Sequence, residues 1–228
     1  MKKKIVLITQ AKGGSGKSVL AFMLAEKYQQ AAILGLDDAT TTSMKQLAYR
    51  KPVKVSFLDA ATKRIDRGAF NSLFESVAAS SKELFIADLG ASVAEQLPKY
   101  LSLNGIEKVA GILQKNEIDL QLICVVGGGN IFRATMEYLM ELTESVNSKI
   151  EIVAATNGFF PFSPDQARNL DEYAKASGLT VKRFDLIHDK GEMAMQTVEN
   201  VMNGGNGLTG LNPFKLIYFT KGMEELDF

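Results

Sequence analysis

Gln10-Ala11-Lys12-Gly13-Gly14-Ser15-Gly16-Lys17-Ser18 separates two segments of different character. Before it, Lys4-Ile5-Val6-Leu7-Ile8 is a short apolar run rich in β-branched residues, the pattern of a strand buried on both faces of a parallel sheet. After it, Val19-Leu20-Ala21-Phe22-Met23-Leu24-Ala25 combines good helix formers with apolar residues at helical spacing. Strand, glycine-rich turn and helix, in that order, form the context a phosphate-binding loop requires. Gly13, Gly14 and Gly16 allow a tight turn that brings backbone N–H groups close to phosphate oxygens. A helix opening near Lys17 points its positive end at the same anion. Lys17 would then lie between the β- and γ-phosphates, and the Ser18 hydroxyl would ligate Mg²⁺. The bland alternative is a glycine-rich turn with two exposed lysines, and the flanking strand and helix argue against it.

Composition sets the frame. The 228 residues suit a single α/β domain spanning 1–228, and 46% hydrophobic residues suffice for a substantial core. The one cysteine, Cys124, sits in the apolar run 122–126 and reads as a small buried hydrophobe. The basic opening 1–4 leads into too short an apolar run for a secretion signal, and no stretch approaches membrane-spanning length. A reducing, cytoplasmic setting is expected. Basic and acidic residues balance at 26 each, which argues against strong nucleic-acid binding. Two small basic clusters, Lys63/Arg64/Arg67 and Arg50/Lys51/Lys54, read as solvated faces rather than a binding patch.

Along the chain, further short apolar runs alternate with helical stripes. Residues 32–36 read as a second buried strand that ends in Asp37 and Asp38. Carboxylates at a strand's C-terminal end share the sheet edge with the loop, although Asp and Thr there also cap helices. A strand is expected over Val53–Leu58, and Phe70, Leu73, Phe74 and Val77 form a core-facing helical stripe. Residues 84–88 form a strand ending in Asp88, placed to hold Mg²⁺ opposite Ser18. Residues 92–113 read as helix, a break at Asn104-Gly105, then helix. The strand 120–126 closes in Gly127-Gly128-Gly129, which does not fit G-x-G-x-x-G and reads as a plain turn. Met136 and Met140 in the following helix read as core. The strand 150–156 ends at Asn157, whose amide both donates and accepts, and Asn157-Gly158 is also a turn dipeptide. A helix over 165–176 is capped near Ser163-Pro164, and a last strand is expected over 179–187. His188 is a lone histidine without metal partners. Residues 203–207 read as a flexible connector and 213–228 as a short helix with an acidic end. The expected architecture is an α/β fold, a mostly parallel doubly wound sheet with helices on both faces.

The strict pattern G-x-x-x-x-G-K-[ST] is not met, because Ala11 replaces its first glycine. Lys12-Gly13-Gly14-Ser15-Gly16-Lys17-Ser18 instead resembles K-G-G-x-G-K-[ST], the deviant Walker A motif of the ParA/MinD-type P-loop ATPases. The likeness extends in order and spacing from Lys4 to about Ile187. It implies ATP and Mg²⁺ as cofactors, with nucleotide contacts from Lys12, Gly13, Gly14, Ser15, Gly16, Lys17, Ser18 and Val19. It further implies that Lys12 reaches the partner's nucleotide across an ATP-dependent homodimer, and that Asp37 orients the attacking water. Asp38 stands where the family usually has proline. Asp88 would be the Walker B carboxylate, and Asn157 would bond the adenine base. Length and the segments 88–92 and 125–128 look most like the plasmid-encoded StbB and TraL ATPases. That implies a role in plasmid stability, positioning or conjugation, with a plasmid-encoded DNA-binding adaptor or conjugation protein as partner. The acidic end Glu224-Glu225-Leu226-Asp227 argues against a MinD-like membrane anchor, and direct DNA binding is expected to be weak. Two other functions share these motifs: a kinase or ATP-dependent ligase of the dethiobiotin synthetase type, and a regulator that holds nucleotide without hydrolysing it. The first needs a substrate constellation of its own, and none is evident beyond the nucleotide motifs.

Overall fold

The computed structural model describes residues 2–36, 42–59, 61–62, 64–187 and 191–228, so Asp37, Asp38, Lys63 and His188 lie outside the described residues. The strands are β1 (Lys3–Thr9), β2 (Ala32–Leu36), β3 (Val53–Lys54), β4 (Leu84–Leu89), β5 (Ile118–Val126), β6 (Glu151–Asn157) and β7 (Thr180–Phe184). The helices are α1 (Lys17–Lys27), α2 (Thr42–Gln46), α3 (Ala69–Ala79), α4 (Ala91–Ala94), α5 (Leu97–Asn104), α6 (Ile106–Lys115), α7 (Phe132–Val146), α8 (Pro164–Ser177), α9 (Glu192–Gly204) and α10 (Pro213–Glu224).

The strands form one seven-stranded sheet in the order β3-β2-β4-β1-β5-β6-β7, with every pair parallel. Central β1 has the alternation that such a position demands. Ile5 and Leu7 face one core, Val6 and Ile8 the other, and all four are buried. The first core packs α3, α5, α6 and α7 against the sheet; the second packs α1, α9 and α10. Helix α1 is buried almost all round, from Leu20 to Ala25, which is why its apolar residues do not confine themselves to one stripe. Burying Phe22 or Leu20 completely contributes about 2 kcal/mol each. Cys124 is fully buried in the first core, and desolvation pushes its thiol pKa far up, so it stays an inert thiol.

Several local expectations meet a different outcome. The strand after Pro52 is only two residues long and exposed, because β3 is an edge that pairs with β2 alone. Leu186 and Ile187 are buried, but β7 ends at Phe184. The helix expected from Ser92 breaks at Glu95-Gln96 as well as at Gly105, giving α4, α5 and α6. Met136 is core whereas Met140 is 41% exposed. Residues 203–207 are not a loose connector. Helix α9 runs to Gly204, and Gly205 and Gly207 adopt positive φ where a Cβ would lie 2.7 Å from Lys45 O and 2.5 Å from the Tyr49 ring. Arg50, read as part of a solvated cluster, turns its guanidinium onto the C-terminal end of α1. It donates to the carbonyl of Ala25 in the last turn and to those of Tyr28, Gln29 and Ala31 in the chain that leaves the helix for β2.

The C-terminal segment is docked rather than loose. Leu226 is fully buried, its carbonyl accepts from Lys27 Nζ, and Tyr28 Oη donates to Phe228 O. Gly222 lets α10 approach the chain beyond β7. A Cβ there would stand 2.3 Å from Asp185 O and 2.7 Å from Leu186 O, backbone atoms that cannot swing aside. Alanine is favoured over glycine inside a helix by about 1 kcal/mol. The clash should reverse that sign, so Gly222→Ala is expected to lower stability by about 1–3 kcal/mol in urea unfolding. A stabilised variant would refute this packing of α10.

Candidate functional site

The loop between β1 and α1 lies at the C-terminal edge of the sheet's central strand. Gly14 and Gly16 adopt φ of 73° and 105°, the left-handed region that glycine enters without a Cβ penalty. Gly16 is also crowded, since a Cβ there would lie 2.2 Å from Asn157 Nδ2. Gly13 is different. It is exposed, its φ is not in that region, and a Cβ would meet nothing within 4 Å. Among the described residues nothing in the packing requires glycine at that place, whereas an oxyanion drawn close to the backbone would. Helix α1 begins at Lys17 with no side-chain cap on its N-terminal N–H groups, which is the donor array an anion uses.

The charged groups converge here through strand pairing. Parallel pairing of β1 with β4 sets Ile8 beside Asp88. Asp88, 6% exposed, accepts a hydrogen bond from Ser18 Oγ at 2.8 Å. Lys17, 8% exposed, donates from Nζ to Gln10 O at 2.8 Å, so its ammonium lies folded over the loop's own lead-in. The Ser15 hydroxyl is buried and has no hydrogen-bond partner among the described residues, a cost that a bound polar group would relieve. Lys12 is exposed at the mouth of the loop. These observations fit a phosphate group with a divalent cation: backbone donors and Lys17 for the anion, and the Ser18–Asp88 pair for the cation. Among the described residues no group of three or more His, Cys, Asp or Glu could hold a metal by itself, so protein ligands would share the ion with phosphate oxygens.

Asn157, the last residue of β6, is 5% exposed and braces the loop. Its Nδ2 donates to Ser15 O at 2.9 Å, and its Oδ1 accepts from Phe159 N at 3.0 Å. One N–H and one lone pair of the amide are left over from these two bonds. The Gly127–Gly129 stretch makes the turn from β5 towards α7, as read from the sequence; Gly129 has a φ of 62°, and Gly128 makes a backbone-on-backbone contact. A Cβ at Gly128 would sit 2.3 Å from Pro161 O. The Gln166 side chain pairs with both backbone groups of Gly129, accepting at 3.0 Å and donating at 2.9 Å.

Gln10 is the residue that motif reading passed over. Its carbonyl holds Lys17, and its fully buried amide accepts from Lys12 N at 3.1 Å. The same amide donates to Val125 O at 2.8 Å and Thr135 O at 3.2 Å. It therefore ties the lead-in of the loop to β5 and α7. The available signal was a large polar side chain at the end of a strand otherwise buried on both faces.

No protein-family model matches the chain, and no curated protein matches it. Solved structures do. A putative plasmid partition protein from Borrelia burgdorferi B31, bound to AMPPNP, is 14% identical with a TM-score of 0.55, covering 99% of this chain and 98% of its own. The MinD cell division protein of Aquifex aeolicus is 12% identical with a TM-score of 0.51, covering 97% and 94%. The chain spans 42% of the length of the signal recognition particle 54 kDa protein of Aeropyrum pernix K1, solved with GDP, at 15% identity over 80% of this chain and a TM-score of 0.47. At these identities the likeness to the partition protein and MinD is one of fold. The seven-stranded parallel sheet with helices on both faces is the P-loop fold of those two proteins.

Replacing Gln10 by leucine keeps the bulk of the side chain but removes all four of its side-chain bonds, the longest of them to Cys124 Sγ at 3.8 Å. Gln10→Leu should lower stability by about 1–3 kcal/mol, read as a lower urea midpoint with unchanged slope. An unchanged midpoint would mean that this amide does not hold the loop.

Proposed function

We propose that the chain is an ATP-binding, slowly hydrolysing switch of the ParA/MinD type that dimerises when it holds ATP. The observation that carries this reading is the different fate of the two loop lysines. Lys17 is buried and folded onto the loop, whereas Lys12 is exposed at its mouth, and its backbone N–H donates to Gln10 Oε1. A single phosphate loop needs one lysine, and Lys17 occupies that place. A second cation facing outward suits the phosphates of a facing subunit, in an isologous pair where each protomer supplies the same residue.

Bound ATP with Mg²⁺ supplies the phosphoryl group and its charge. Around it, Gly13, Gly14, Ser15, Gly16 and Val19 would present backbone groups, and Lys17 would hold the β- and γ-phosphates. Ser18 would ligate the cation, with Asp88 holding its water shell. Asp37 would orient the attacking water, and Lys12 of the facing protomer would stabilise transition-state charge as an arginine finger does. Asn157 would read adenine with the N–H and lone pair left after it braces the loop. In the cell the switch would act, in the StbB/TraL manner, in plasmid stability, positioning or conjugation. Its partner would be a DNA-binding adaptor or a conjugation protein, with at most weak DNA affinity of its own given zero net charge. Among the described residues no helix is long and apolar enough to cross a membrane.

Lys17→Ala should abolish ATP binding in calorimetry. Lys12→Ala should keep it within roughly tenfold, about 1.4 kcal/mol, while losing both ATP-dependent dimerisation in light scattering and hydrolysis. A Lys12→Ala protein that dimerises and turns over normally would return the chain to the ordinary nucleotide-binding enzymes. Base preference is a separate matter. ATP should displace a fluorescent nucleotide well before GTP does, and equal displacement would remove Asn157 from base recognition.

A further inference from the structure

Tyr138 on α7 is 4% exposed in the core beneath the loop. Its phenol touches two segments that lead to and from the site, the end of β1 and the end of α4. The Tyr138 hydroxyl donates to Ala94 O at 2.9 Å, and it lies 2.5 Å from Thr9 Oγ1. A phenol has one hydrogen to give. With that hydrogen on Ala94 O, the Thr9 hydroxyl supplies the hydrogen of the second bond. The donors therefore run in one direction, from Thr9 to Tyr138 to Ala94, an order in which each bond polarises the next. Burial holds the phenol pKa well above its ordinary value, so the hydrogen stays on.

One end of this relay adjoins the loop, and the other lies in the segment that follows Asp88. Thr9 is the last residue of β1 and precedes Gln10, whose carbonyl holds Lys17. Ala94 is the last residue of α4, the short helix that follows Asp88, Leu89 and Gly90. The start of that segment is anchored too, since Gly90 N donates to Leu36 O at 3.0 Å at the end of β2. One helical turn before Tyr138, the Thr135 carbonyl accepts from Gln10 Nε2. Helix α7 thus carries one rung to each of the two residues that lead into the loop. Packing alone would be satisfied by phenylalanine; only the relay needs the hydroxyl.

We propose that Tyr138 is a positioning residue of the nucleotide site, coupling occupancy of the loop to α4 through the Thr9–Tyr138–Ala94 relay. The inference rests on the nucleotide reading above and adds a regulatory path to it. Thr9 and Ala94 are fully buried, so water cannot replace a severed rung. A displacement of the loop lead-in then either carries α4 with it or leaves buried polar groups unpaired.

The test uses the full chain and compares hydrogen exchange with and without Mg–ATP. In the wild type, ATP should slow exchange both in the loop, residues 12–18, and in residues 90–96. Tyr138→Phe should keep ATP affinity within threefold and keep the loop protection. It should lose the ATP-dependent change at 90–96 and lower kcat at least tenfold with KM little changed. Thr9→Val, which severs the relay from its other end, should behave as Tyr138→Phe does and carries the test should that variant not fold. Thr9→Ser, which retains a hydroxyl, should restore wild-type behaviour. Variants that still transmit protection to 90–96 with wild-type kcat would overturn the coupling while leaving the nucleotide site intact. A wild type in which ATP protects neither segment would instead overturn the nucleotide reading, and the coupling with it.

Discussion

The hydrogen bond from Ser18 to Asp88 joins two groups seventy positions apart in the chain, and it exists because β1 and β4 are direct neighbours in register. Pairing Ile8 with Asp88 brings the carboxylate to the level at which the loop turns into α1. A slip of one residue would turn every side chain of β4 to the opposite face, taking Asp88 away from the loop and Phe85, Ala87 and Leu89 out of the first core. The hydrophobic pattern of β4 therefore sets the position of a charged group, and the apolar core and the polar site share a single determinant.

Holding polar groups in such a place is costly, and the fold offsets the cost with local bonds. Lys17 is almost fully buried, and a buried ammonium needs partners; Gln10 O is one of them. Gln10 in turn spends its side-chain amide on Lys12, β5 and α7. Asn157 fixes the other side of the loop through Ser15 O. The loop is thus held from beneath by α7 and from the side by β6, a preorganisation that would favour binding of an anion because little would remain to be ordered. The left-handed backbone at Gly16, pressed against Asn157, belongs to the same arrangement.

The second layer has a structural task. Arg50 closes the end of α1, and the chain after α9 packs its glycines against Lys45 and Tyr49. Tyr49 donates to Glu26, and burial together with that carboxylate raises its pKa far above the phenol range, which keeps it a donor. These contacts hold the far end of the helix whose first turn follows the glycine-rich loop.

The strands β1, β2, β4, β5 and β6 were legible in the amino-acid order because a strand buried on both faces reads as a short, mostly apolar run, and each such run closed in a polar residue or, after β5, in glycines. The loop was legible because its chemistry demands glycines and a lysine at fixed spacing between a strand and a helix. The elements that escaped were those whose form depends on distant partners. Strand β3 is a two-residue edge strand whose exposed side chains carry no buried apolar pattern. Helix α9 carries a mixed pattern that did not mark it as a helix, and it packs against α2 and α10. The break between α4 and α5 falls at Glu95-Gln96, with no proline or glycine at the break itself. Motif spacing could name Lys17, Ser18, Asp88 and Asn157, since those are local patterns. It could not name Gln10, Thr9 or Tyr138, because a hydrogen bond spanning 129 positions leaves no period in the sequence. The order of residues determined which groups would stand at the sheet's C-terminal edge. Only the tertiary structure decided which of them touch, since strand order and register, not sequence distance, bring those atoms within bonding range.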